Sequence, residues 1–142
     1  MSSQDNEKQT LREQHLEKRR AMSRENWTAA SRAISNSFLA SRFYDKAETL
    51  LTYVSAKDNE ADTFMIIDCA LQSGRKVLAP VTAPGSRILS WAQICSRQEL
   101  APTKFGLLEP IGAETVLVPN DADIVCLTPG IAFTRDGYHW EQ

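Results

Sequence analysis

Thr49-Leu-Leu-Thr-Tyr-Val-Ser55 opens a stretch that closes on Lys76-Val-Leu-Ala-Pro80. The first segment is β-branched and aromatic, as a strand requires. The second is a short apolar run that Pro80 is expected to stop. Between them Asp62 can cap a helix, Phe64, Ile67 and Leu71 recur at helical spacing, and Gly74 stands where a helix-ending glycine belongs. Strand, helix and strand within about 30 residues form a βαβ unit, which requires a parallel pair. That unit predicts an α/β chain.

The flanking sequence extends this reading. Upstream, residues 7–21 hold strong helix formers with no Gly or Pro, but Leu11 and Leu16 are the only strong apolar positions. Such a helix buries only a thin stripe and depends on docking or charge pairs. Ser23 reads as the cap of a second helix. Met22 and Trp27 sit at the positions of a hydrophobic staple, and Trp27, Ala30, Ile34 and Phe38 mark the expected buried face. Downstream, residues 80–85 read as loop, Arg87 to Trp91 as a strand, residues 96–100 as a helical turn and residues 102–112 as irregular. Residues 116–118 read as short and extended, and Asp-Ile-Val-Cys-Leu at 123–127 as the clearest buried strand, running into Pro129-Gly130. No repeat or compositional break divides the chain, so residues 1–142 read as one domain.

With 142 residues, 42% of them hydrophobic and 24% charged, the chain can build a core. A net charge of -2 argues against nucleic acid, whose phosphates demand an excess of Lys and Arg. No apolar run approaches the roughly 18 residues a membrane helix needs, and the polar N-terminus has no signal-peptide core. These features predict a cytoplasmic chain with no membrane partner. Cys69, Cys95 and Cys126 lack metal or redox spacing and read as buried thiols.

In open α/β sheets ligands bind beyond the carboxyl ends of the strands. Two such ends are polar or glycine-rich: residues 55–63 (Ser-Ala-Lys-Asp-Asn-Glu-Ala-Asp-Thr) and residues 128–137 (Thr-Pro-Gly-Ile-Ala-Phe-Thr-Arg-Asp-Gly). Taken alone, both are ordinary connections. Lys8 and Arg12 form an i, i+4 basic pair of the kind that grips a polyphosphate, although a solvated helix face is the commoner meaning of such a pair. His15 and His139 have no companion ligands. No nucleophile triad, zinc pattern or phosphate-loop glycine string is present. Composition and spacing stop at an α/β domain.

Read in order, the segments resemble the 5-formyltetrahydrofolate cyclo-ligase (methenyltetrahydrofolate synthetase) family. The likeness begins with Lys8-Gln9-Thr10-Leu11-Arg12, then Arg19 or Arg20 and Ala21-Met22-Ser23. It continues through Tyr53-Val54-Ser55, Glu60-Ala61-Asp62-Thr63, Lys76-Val77-Leu78-Ala79-Pro80 and Gly106-Leu107-Leu108-Glu109-Pro110. It ends with Pro129-Gly130-Ile131-Ala132-Phe133 and Gly137. The resemblance implies a three-layer α/β/α sandwich with a mostly parallel sheet. It implies ATP-dependent conversion of 5-formyltetrahydrofolate to 5,10-methenyltetrahydrofolate with Mg²⁺, releasing ADP and phosphate. It places ATP at Lys8, Gln9, Thr10, Leu11 and Arg12, and the folate at Arg12, Val54 and Glu60, with Glu60 accepting pterin N–H groups. It assigns no catalytic residue.

The chain departs from the family pattern near its end. Thr134 stands where the family has Asp, His139 where it has Arg, and Trp140-Glu141-Gln142 closes the sequence. The glycine-rich phosphate loop, the Mg²⁺ carboxylates, and the final strands and helix of the family pattern are not found in this sequence. The expectation is a C-terminally truncated, incomplete domain with impaired turnover and a sheet edge open to self-association. The alternative is a non-catalytic remnant that still binds folate or nucleotide.

Overall fold

A computed structural model describes residues 3–82, 89–103, 106–112, 114–119, 123–136 and 139–140. The loop expected at 80–85 and the start of the strand expected from Arg87 fall largely outside them, as do Gly137, Glu141 and Gln142.

The N-terminal residues form α1 (Ser3–Arg20), in which no residue is buried and Arg12, Leu16 and Arg19 make a half-buried stripe. The Ser23 hydroxyl accepts the Asn26 amide and starts α2 (Arg24–Leu39), as its position predicts. The buried face of α2 differs from the expected one. Ser31 and Ser35 are buried, whereas Ala30 and Ile34 are exposed. The serines turn inward because the loop after the first strand needs partners there: Ser31 Oγ accepts the Asp62 amide at 3.0 Å. A short helix that periodicity did not reveal, α3 (Arg42–Lys46), then sets Tyr44 against the core.

The βαβ unit forms as read, from β1 (Thr49–Thr52), α4 (Phe64–Gln72) and β2 (Lys76–Val81), with β1 and β2 parallel. Asp62 Oδ1 accepts the Phe64 amide at 2.9 Å. Gly74, at φ +82°, completes a Schellman end in which the Gly74 amide donates to Leu71 O and the Arg75 amide to Ala70 O. Pro80 does not stop β2. Pairing with β1 ends at Leu78, so the missing N–H of Pro80 lies beyond that ladder, while β2 continues against β3 (Ser90–Ile94) to Val81.

Ser96 and Glu99 form a capping box on a 3-10 turn (Arg97–Glu99). The segment expected to be irregular contains an antiparallel pair, β4 (Leu100–Pro102) and β5 (Leu108–Pro110). Glu109 of β5 is buried, and its carboxylate accepts the Thr82 amide and hydroxyl at 3.1 and 2.6 Å, fixing the chain as it leaves β2. Then come β6 (Thr115–Val116), β7 (Ile124–Leu127) and the pair β8 (Ala132–Phe133) and β9 (His139–Trp140).

The main sheet has the order β6-β3-β2-β1-β7. Only β3 opposes the others, so the sheet is mostly parallel within an α/β fold. One face carries the core, where Leu50, Val54, Val77, Ala79 and Ile94 pack with Ile66, Ile67 and Ala70 of α4 and with Tyr44. On the other face Leu51 and Leu78 are register neighbours and both buried, while the flanking Cys126 and Gln93 are exposed. β7 is therefore not the fully buried strand its composition suggested. It is an edge strand with one half-covered face. The thiol reading is corrected with it: Cys95 and Cys126 are exposed and Cys69 is half-buried, because Cys95 lies just past the end of β3 and Cys126 on the open face.

Candidate functional site

The polypeptide leaves β1 for β2 on one side and returns to β7 on the other. Such a reversal opens a crevice beyond the carboxyl ends of the strands. Here the register pairs Thr52 with Leu127, so Tyr53 and Thr128-Pro129-Gly130 emerge side by side. A cavity of 340 Å³ opens at this point, bounded by Arg19 of α1, Trp27 and Ile34 of α2, Tyr53, Glu60 and Phe133. A second space of 380 Å³ lies across Trp27, Asn59 and Glu60 and reaches Arg24, Ser55 and Leu108.

Loop 55–63 is built as a rigid wall. Its ends are clamped by reciprocal bonds: the Ser55 amide donates to Thr63 Oγ1 at 3.1 Å and the Thr63 amide to Ser55 Oγ at 3.2 Å. At its tip Asp58 and Asn59 both adopt left-handed backbone at φ 56°, a conformation Asp and Asn tolerate better than other side chains. That turn brings the loop to the end of α1. Asn59 Nδ2 donates to Arg19 O at 2.8 Å, which also accepts the Met22 amide at 3.2 Å, and to Met22 O at 3.0 Å just past the helix. In return Arg19 Nε donates to Asp58 O at 2.6 Å, and Arg20 pairs with the Asp58 carboxylate at 2.9 Å. The Arg20 bond holds the Asp58 carboxyl below the usual range.

Glu60 is buried, and its carboxylate accepts the Ala56 amide at 3.1 Å. Its backbone carbonyl accepts Trp27 Nε1 at 2.7 Å, and the guanidinium of Arg24 lies over the Trp27 ring at 4.2 Å. Tyr53 donates its hydroxyl to Ala61 O at 3.0 Å. Burial above all, with the Glu60 and Asp62 carboxylates adding and Arg19 opposing, pushes that hydroxyl up to about 12. The wall thus combines flat rings, a buried carboxylate and a guanidinium, a set able to hold a planar heterocycle bearing N–H groups.

The residues singled out in the sequence are only partly gathered here. Glu60 borders both spaces. Val54 does not: its side chain packs in the core beside Leu50 and Ile67, because the strand alternation turns it toward α4. Lys8, Gln9, Thr10 and Leu11 are exposed on α1, where Gln9 bonds Glu13 and Thr10 bonds the Asn6 carbonyl. Arg12 is half-buried and shares the stripe of Leu16 and Arg19. Arg19 borders the cavity, and Lys8 and Arg12 continue along α1 about 16 and 10 Å further up its axis. Neither of the two spaces at Glu60 is lined by Lys8 or Arg12.

Trp27, Tyr53, Arg19 and the Asp58-Asn59 pair were missed as site residues. Two signals pointed to them. An indole N–H next to a cap needs an acceptor, and adjacent Asp and Asn are the residues most at ease in left-handed backbone. Among the described residues no three His, Cys, Asp or Glu side chains converge, so the Mg²⁺ implied by the resemblance finds no protein cage there. No described helix is long and apolar enough to cross a membrane.

The fold and site can be set beside known proteins. No curated protein sequence matches the chain. A solved 5,10-methenyltetrahydrofolate synthetase from Aquifex aeolicus superposes with a TM-score of 0.77 at 25% identity, covering 93% of this chain and 65% of that one. A 5,10-methenyltetrahydrofolate synthetase from Mycoplasma pneumoniae shares the fold with a TM-score of 0.64 at 20% identity, over 94% of this chain and 70% of that one. The chain therefore spans about two thirds of the length of each. The model of the 5-formyltetrahydrofolate cyclo-ligase family matches residues 4–139, and with the switch-point crevice walled by Glu60 in place, the chain belongs to that family.

Proposed function

We propose that the crevice between β1 and β7 binds 5-formyltetrahydrofolate and that the chain serves its ATP-dependent closure to 5,10-methenyltetrahydrofolate. The observation that carries this reading is the buried Glu60 carboxylate on a wall shared with Trp27, Tyr53 and Phe133. A pterin ring stacks on such faces while a carboxylate accepts its N–H groups.

The chemistry runs in two steps. The formyl oxygen on N5 attacks the terminal phosphorus of ATP, and the bond to ADP breaks. N10 then attacks the activated carbon, phosphate leaves with the former formyl oxygen, and N10 gives up its proton. A formamide carbon is a poor electrophile, which is why the oxygen must first become a leaving group. The residues described here bind and orient. Lys8 and Arg12, one helical turn apart, would hold the polyphosphate, with Arg12 nearer the crevice. Val54 contributes through the core behind the pocket floor. Mg²⁺ would arrive on the nucleotide, and no step is assigned to it.

The test is ATP-dependent formation of the methenyl product, followed by absorbance. Activity that disappears in a Lys8→Ala, Arg12→Ala double variant that still folds supports the assignment. Activity unaffected by that double variant removes the cationic arm from the reaction.

A further inference from the structure

We propose that Asn59 is a positioning residue for Glu60: by fastening the tip of loop 55–63 to the end of α1, it aims the Glu60 carboxylate at the substrate. This rests on the folate reading above and deepens it.

The tip is a reversal from Lys57 to Glu60. The Glu60 amide donates to Lys57 O at 3.1 Å, and Asp58 and Asn59 between them both stand at φ 56°. Two central residues of positive φ mark a type I′ turn, whose second central position is ordinarily glycine. Asn59 occupies that position instead. A side chain kept in left-handed backbone persists where its surroundings over-determine it, and such sites cluster at ligand clamps. The partners that do so from outside the loop come from residues 19–22. Asn59 Nδ2 donates to Arg19 O and Met22 O, Arg19 Nε donates to Asp58 O, and Arg20 pairs with the Asp58 carboxylate. The asparagine amide makes bonds that a glycine there could not.

The reversal decides where Glu60 points. It brings the Glu60 carboxylate back to the Ala56 amide, which it accepts at 3.1 Å. After the side chain, Trp27 Nε1 holds the Glu60 carbonyl at 2.7 Å; before it, Asn59 holds the chain to α1. Glu60 is buried, so these two fastenings set its direction in place of a search by a free side chain. Hydrogen bonds weaken steeply as their geometry departs from linear. A carboxylate released from this turn therefore keeps its charge and loses its aim.

The experiment measures 5-formyltetrahydrofolate affinity by calorimetry for the unmodified chain, Asn59→Ala, Asn59→Gly, Glu60→Ala, each Asn59 change combined with Glu60→Ala, and Ser41→Ala. Circular dichroism sets a temperature at which the proteins compared are folded. Ser41 accepts the Tyr44 amide at the start of α3 and borders neither space at Glu60, so its loss lowers stability without touching the crevice. Glu60→Ala and Asn59→Ala should each weaken binding about tenfold, and Asn59→Gly about threefold, since glycine keeps the reversal and loses the fastening. In the Glu60→Ala background neither Asn59 change should shift affinity by more than about twofold. Ser41→Ala should bind as the unmodified chain does. If Asn59→Ala does not fold, Asn59→Gly carries the test.

Asn59 variants that bind like the unmodified chain, while Glu60→Ala binds more weakly, remove the positioning role and leave the folate reading standing. An Asn59 loss that adds in full to the Glu60→Ala loss makes Asn59 a contact in its own right and overturns the inference. A Ser41→Ala loss as large as that of Asn59→Ala also overturns it, because stability alone would then be read. If the unmodified chain does not bind, or Glu60→Ala binds as tightly as it does, the folate reading falls and takes the role of Asn59 with it.

Discussion

Replacing Asn59 separates two contributions that the loop tip combines. The side chain closes the end of α1 through bonds of 2.8 and 3.0 Å to Arg19 O and Met22 O, and the backbone sits at φ 56°. Asn59→Gly removes the bonds and suits the backbone. Asn59→Ala removes the bonds and places a side chain with no local compensation in the left-handed region. Each lost bond is worth about 1 kcal/mol net, so the shared loss is about 2 kcal/mol. Glycine recovers part of this, because the left-handed region costs other residues about 1 kcal/mol. The expected losses are about 1 kcal/mol for Asn59→Gly and about 2 kcal/mol for Asn59→Ala. With a urea slope of about 1.5 kcal/mol per molar, the midpoints fall by roughly 0.7 and 1.3 M. Urea unfolding monitored by tryptophan fluorescence reads both. Equal midpoints for the two variants would show that the backbone carries no penalty. Two midpoints at the unmodified value would refute the whole argument that this residue fastens α1 to the wall of the crevice.

Tyr53 makes stability fall at high pH. Its hydroxyl ionises near 10 in the unfolded chain and near 12 in the folded one, so the unfolded state loses its proton first. Stability should drop by up to about 2 kcal/mol between pH 10 and pH 12, and Tyr53→Phe should flatten that limb of a melting-against-pH curve. Trp27→Phe leaves the buried Glu60 carbonyl without its 2.7 Å donor. The cost of about 2 kcal/mol should lower the thermal midpoint by roughly 6 °C in calorimetry, and a shift under about 1 °C would contradict the bond's importance.

The parts of the fold written in local chemistry were legible. Ser23 and Gly74 mark helix ends because capping and left-handed backbone restrict residue choice at single positions. The parallel βαβ unit followed from order and length alone. What escaped depends on tertiary partners. Ser31 and Ser35 face inward to meet loop 55–63, against the apolar periodicity of α2, and leave Ile34 exposed at the rim of the cavity. Val125 and Cys126 look like core residues, yet β7 lies at the sheet edge, a fact of strand order that composition does not record. Glu60 was named by likeness to the family, and it follows a strand end and borders the crevice. Val54 was placed in the pocket by likeness to the family, although the strand alternation points it into the core. Trp27 offered only an indole N–H in want of an acceptor and Arg19 no local signal, because their roles arise only when α1, α2 and the loop meet.

The most direct trial of the account is the affinity of 5-formyltetrahydrofolate for the unmodified chain and for Glu60→Ala, with circular dichroism confirming that both are folded. The account predicts saturable binding that Glu60→Ala weakens by at least about tenfold, the worth of a charge-assisted bond from the pterin edge. Equal affinity in the two proteins would contradict it and move the folate away from the crevice between β1 and β7.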